Sequence, residues 1–114
     1  MADEKPLREQ LLSANKFKSV KVQVAIPGGP AEVEVRCPNV AQRNRIIQAL
    51  KEDMGRAQAL ACVLCARKPD GSGAAVFLEE DVPALMEMPA NGVVDAIAEA
   101  AFTLLNKAEE SAKN

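Results

Sequence analysis
RAQALACVLCARKPDGSGAAVFLEEDVPALMEM, residues 56–88, is the stretch around which this chain is organised. Its first third is apolar at helical spacing, with Ala57, Leu60, Ala61 and Leu64 recurring on one side. Lys68-Pro69-Asp70-Gly71-Ser72-Gly73 then stops the helix, because proline lacks a backbone donor and glycine accepts positive φ. A short extended apolar run, Ala74 to Phe77, follows. Glu79-Glu80-Asp81 places negative charge where a helix N-terminus favours it. The stretch predicts helix, tight turn, short extended piece and an acidic-started helix, with Phe77, Val82 and Leu85 pinning the turn down.

Upstream, Asn39-Val40-Ala41-Gln42 has the spacing of a capping box. It opens a helix with Ile46, Ile47 and Leu50 as its apolar positions. Ile46, Leu50, Met54, Ala57, Ala61 and Leu64 keep one face across Asp53-Met54-Gly55, and Gly costs only about 1 kcal/mol against Ala inside a helix. One continuous or kinked helix to Ala66 is therefore favoured over a break. Before it the period changes to two. Val20, Val22, Val24 and Ile26 alternate with polar or small residues, as do Ala31, Val33, Val35 and Cys37. With Pro27-Gly28-Gly29-Pro30 as a turn of four, these runs predict a β-hairpin with one apolar face, Val22 and Val33 pointing at the core. A short helix over Pro6 to Leu12 and a linker over Ser13 to Lys16 precede it.

Downstream, a last helix is predicted from about Pro89 to about Lys107. Its apolar positions are Val93, Val94, Ile97, Ala98, Ala101, Phe102, Leu104 and Leu105. They cover more than half the circumference, beyond the arc a surface helix needs. Either its alanines are helix formers facing water, or its second side meets another subunit or a partner. On the second reading Val94, Ala98, Ala101 and Leu105, with the soft side chains of Met86 and Met88, form a protein-binding surface, and Met54 adds soft surface of the same kind. The fold class that results is α+β: an N-terminal β-hairpin packed against a small bundle of α-helices, in a single domain over 1–114 with frayed ends at about 1–5 and 108–114.

Composition narrows the function classes. At 114 residues with 48% hydrophobic and 3% aromatic residues, the core is built largely of Ala, Val and Leu. A net charge of −2 gives no electrostatic reason to bind nucleic acid or an anionic membrane. No apolar run approaches a membrane span, and MADEKPLREQ carries no export signal, so a cytoplasmic protein is expected. The chain has no His, which removes the commonest general base and metal ligand. Cys62-Val63-Leu64-Cys65 is the one tempting motif. A redox pair needs its first thiol at an exposed helix N-terminus, and a zinc site needs four ligands, whereas only Cys37 remains. Buried small hydrophobes are the simpler reading. No catalytic, cofactor-binding or metal site is assigned, and a non-enzymatic binding module is expected.

The order of the pieces resembles a known family. Leu7-Arg8-Glu9-Gln10-Leu11-Leu12, a linker and Lys18-Ser19-Val20-Lys21-Val22-Gln23-Val24 are similar to the start of tail assembly chaperones of long-tailed bacteriophages. So are the polar helix start Asn39-Val40-Ala41-Gln42-Arg43 and the run Arg56-Ala57-Gln58-Ala59-Leu60-Ala61. Asp70-Gly71, Phe77, Glu80-Asp81-Val82-Pro83-Ala84-Leu85 and the closing helix Val93 to Leu105 complete the likeness over nearly the whole chain. The hairpin turn departs from it in lacking an aromatic. The middle helices are joined by a shorter segment, and Cys62 and Cys65 match no signature of the family.

The resemblance implies a chaperone that binds the tape measure protein, keeps it in solution and helps tail tube protein subunits polymerise around it. It implies the host cell cytoplasm as location, absence from the mature virion, self-association and no cofactor. It also implies a longer form made by ribosomal slippage, for which Ala112-Lys113-Asn114 permits a slippery codon run. The alternative is a small dimeric adaptor or structural protein without chaperone activity.

Overall fold
The computed structural model describes residues 6–14 and 16–113, with side chains to Asn106. The fraying expected at 1–5 lies outside those residues, as do Asn15 in the expected linker and Asn114. The fold is α+β, a three-stranded antiparallel sheet packed with helices.

The hairpin forms where the period-two pattern places it. Strand β1 (Ser19–Ile26) pairs antiparallel with β2 (Gly29–Arg36) in one unbroken register, with Val22 opposite Val33 and Val24 opposite Ala31. The turn is tighter than expected. Only Pro27 and Gly28 lie between the strands, and Gly28 has φ 95°, the positive value that the second central position of a type II turn requires. Pro30 pairs with Ala25 inside the ladder. The apolar face is buried in its middle, at Val24, Val33 and Val35, while Val22 is half-buried and Val20 and Ile26 are exposed. The polar face carries cross-strand contacts: Gln23 Nε2 donates to Glu32 at 3.1 Å, Ser19 Oγ to Glu34 at 3.2 Å, and Lys21 meets Glu32 at 3.7 Å.

Asn39 and Gln42 form the expected capping box, with bonds of 2.8 and 3.0 Å. Helix α2 (Val40–Glu52) follows, and here the expectation of a continuous helix fails. Asp53 is extended, at φ −160° and ψ 114°. Its N–H closes the last turn of α2 on Ala49. Its carboxylate accepts from the N–H groups of Gly55 and Arg56 at 2.9 and 3.3 Å and so opens α3 (Met54–Cys65). The break lets α3 fold back against α2, which a single rod could not do.

Beyond its exposed first turn, helix α3 is buried all round. Ala57 and every residue from Ala59 to Ala66 are inside, so α3 is the axis of the core. Helices α2, α4 (Val82–Met86) and α5 (Val93–Lys113) pack on it, and α5 also crosses the inner face of β1 and β2. A two-residue strand, β3 (Ala66–Arg67), pairs with Glu34 and Val35 of β2. No sequence signal marks it, since Ala and Arg are weak strand formers and only the pairing partner defines it. The turn Lys68–Gly73 is present, with Lys68 N–H donating to Ala74 at 2.9 Å. The extended run is reduced to one bridge, Ala75 to Arg67. Beyond it Phe77 is half-buried and Leu85 is buried, as expected of the residues that pin this turn.

A single 3₁₀ turn, Glu79–Asp81, leads into α4, and Asp81 Oδ2 accepts from Leu78 N–H at 2.8 Å. Helix α5 differs from expectation at both ends. It starts at Val93, after a turn in which Asn91 takes φ 63° and Asp95 accepts from the Asn91 N–H. It runs to Lys113, through the segment expected to fray, because Ala, Glu and Lys there are good helix formers.

The short N-terminal helix α1 (Leu7–Leu12) forms as expected but buries none of its residues, and Leu7, Leu11 and Leu12 are all exposed.

A candidate protein-binding groove
Most of the wide apolar stripe of α5 is covered by the chain itself, while Phe102 and Leu105 stay half-buried. Val94, Ala98 and Ala101 are buried, Ala98 and Ala101 completely, between α3 on one side and the hairpin on the other. They are core, and the surface expected of them does not exist in the folded chain. Both expectations for the stripe look outward, whereas α3 and the hairpin close over most of it. Of the remaining expected residues, Leu105 is half-buried, and Met86 and Met88 are exposed beside α4, where they line a pocket of about 320 Å³ together with Val94. The six residues therefore do not form one patch.

The structure assembles a different surface. Helix α2 turns Ile46 and Ala49 inward, which leaves Arg43, Ile47 and Leu50 on a second line at i, i+4 and i+7. Across from them on α5 stand Phe102, Leu105 and Asn106. Met54, at the first turn of α3, closes one end. The result is a groove of about 350 Å³ lined by these seven residues. Ile47 and Leu50 are each 37% exposed and Met54 is 58% exposed. Arg43 provides a cation in this apolar setting. Its Nη2 donates weakly to Asn44 at 3.4 Å, while its buried Nε has no acceptor among the described residues. The groove offers apolar floor for a helix stripe and a guanidinium for a carboxylate beside it.

A larger cleft of about 920 Å³ opens between α2, α3 and α4, but its rim is already paired. Arg45 binds Glu79, and Arg56 meets Glu52 at 3.7 Å. Its charges are thus engaged with one another.

The cysteines behave as small hydrophobes. Cys62 and Cys65 are fully buried, and burial pushes both thiols up to about 12. Cys62 Sγ donates to the Val94 carbonyl at 3.6 Å. A thiol held protonated is a poor nucleophile. Among the described residues no group of three or more Cys, Asp or Glu side chains is placed to hold a metal ion. No described helix is long and apolar enough to cross a membrane.

The sequence points to Leu105 and Met54 of this groove but not to its α2 wall, because Ile46, Ile47 and Leu50 look like one apolar set. The signal was present: Arg43, Ile47 and Leu50 follow a helical line of their own, distinct from Ile46 and Ala49. No family model, curated protein or solved structure matches the chain.

Proposed function
We propose that this chain is a non-enzymatic protein-binding module that holds an amphipathic helix of a client. In line with the resemblance in its sequence, we read it as a tail assembly chaperone whose client is a tape-measure-type protein. Tail tube subunits would then polymerise around that client in the host cytoplasm. The observation that carries the reading is the α2–α5 groove. Exposed Ile47, Leu50 and Met54 face Phe102 and Leu105, and Arg43 adds a positive charge to the same lining. A long client rich in amphipathic helix presents apolar stripes that aggregate unless covered, and a short groove can cover one turn or two at a time.

Co-expression with a long helical protein of the tape-measure type tests this. The client's yield in solution should rise severalfold, and the two should co-purify. Ile47→Asp combined with Leu50→Asp should reduce co-purification at least tenfold with an unchanged circular dichroism spectrum, because neither side chain is in the core. A client equally abundant in solution with and without the wild-type chain would sink the chaperone reading.

A further inference from the structure
The outer edge of the eight-residue strand β1 carries backbone groups that no described strand pairs, since the sheet order places β1 outermost. Natural sheets protect such edges with proline, bulges, short strands or charged side chains, lysine above all. Strand β1 has one such guard, Lys21; no proline falls within Ser19–Ile26, and the register with β2 is unbroken. Which groups face outward follows from one bond. Cys37 N–H donates to the Lys18 carbonyl at 2.7 Å, so Lys18 and Cys37 form a hydrogen-bonded pair in line with the β1–β2 ladder. Pairs alternate along an antiparallel ladder. Val20, Val22, Val24 and Ile26 therefore aim their backbone groups at β2. Ser19, Lys21, Gln23 and Ala25 aim theirs at solvent.

We infer that β1 pairs with β1 of a second copy about a two-fold axis at Gln23, joining the two sheets into one. In that register Gln23 pairs with Gln23 of the second copy and Lys21 with Ala25, twice. All of these are outward-facing residues, which gives about six backbone hydrogen bonds. The same register sets Val20 opposite Ile26 on the apolar face, twice. Those two, at 39% and 45% exposure, are the apolar residues that the chain's own helices leave uncovered on this strand. Val22 falls opposite Val24. These apolar pairs are the non-hydrogen-bonded ones, in which side chains stand closest. Charge agrees with the arrangement. Lys21 is the sole charged residue of β1, and the register offsets it from its copy by four residues, about 14 Å along the strand. A strand of this pattern is complementary to itself, which is why a second copy is the occupant. Strand pairing alone buries modest area, so the dimer is expected to exchange with monomer at micromolar concentration. The inference does not depend on the groove or on a client.

Sedimentation equilibrium of the full chain should show a monomer–dimer equilibrium. Gln23→Pro removes the central outward N–H without touching the ladder to β2, and proline is tolerated at such edge positions. It should raise the dimer dissociation constant at least tenfold with unchanged circular dichroism. Gln23→Cys, in a Cys37→Ala background, should oxidise to a disulfide-linked dimer, because Cα atoms of a hydrogen-bonded pair lie about 5.5 Å apart, within disulfide range. Lys21→Cys in the same background should not. A chain that stays monomeric at several hundred micromolar overturns the inference. So does a dimer in which Lys21→Cys cross-links as fast as Gln23→Cys, which would mean another surface or register.

Discussion

Asp53→Ala tests the corner between α2 and α3. Asp53 ends one helix and begins the next: its N–H bonds to Ala49 at 2.8 Å, and its carbonyl accepts from Ala57 at 3.0 Å. Its side chain satisfies the N–H groups of Gly55 and Arg56. Alanine keeps the backbone bonds and removes the side-chain ones. Loss of an N-cap of this kind costs about 1 kcal/mol, within a range of about 0.5–2. For 114 residues the unfolding entropy near the midpoint is about 0.24 kcal/mol/K, so the melting temperature should fall by about 4 °C. Asp53→Asn keeps an acceptor and gives up the charge at the start of α3, so it should cost about 0.3–0.5 kcal/mol, less at high salt. Gly55→Ala added to Asp53→Ala should recover part of the loss. Alanine is the better helix former by about 1 kcal/mol, and the one tight neighbour of a Cβ at position 55, Asp53 Oδ1 at 3.3 Å, is then gone. Urea denaturation and thermal melts measure all three. If Asp53→Ala costs less than Asp53→Asn, or leaves stability unchanged, the carboxylate does not hold the corner and the cap argument is wrong.

Neighbouring isoleucines on α2 should behave differently. Ile46 is fully buried and Ile46→Ala should cost about 2–5 kcal/mol, whereas Ile47 is 37% exposed in the groove and Ile47→Ala should cost less than about 1.5. Similar values from urea melts would contradict the division of α2 into an inner and an outer apolar line. The buried thiols make the fold sensitive to alkali. Burial raises Cys62 and Cys65 from 9.0 to about 12, so above pH 9 the folded chain keeps protons that the unfolded chain releases. Stability from these groups is complete below pH 9 and declines from there toward 12, by about 1.4 kcal/mol per pH unit for each thiol. Cys62→Ala should flatten that decline, which stability measurements between pH 8 and 10.5 detect. At pH 8 a thiol reagent should modify Cys37 in the native protein and reach Cys62 and Cys65 only on unfolding.

Much of this molecule is local and was therefore legible in the sequence. The hairpin strands follow from strict alternation, the start of α2 from Asn39 and Gln42, the turn after α3 from Pro69, Asp70 and Gly71, and the acidic entry to α4 from Glu79 to Asp81. Each depends on bonds or spacings within a few residues. What the tertiary structure decided depends on partners far away in the chain. The break at Asp53 satisfies the packing of α2 on α3, which outweighs the continuous apolar face and the small cost of Gly55. Strand β3 exists because β2 lies beside Ala66 and Arg67. The stripe of α5 became core once α3 and the hairpin closed on opposite sides of it, so Ala98 and Ala101 vanished from the surface and Ile47, Leu50 and Met54 stayed on it. An apolar stripe states how much surface must be covered. Only the assembled helices and sheet settle which part the chain covers itself and which part it leaves for others, because burial is a property of contacts between distant segments and period alone does not encode them.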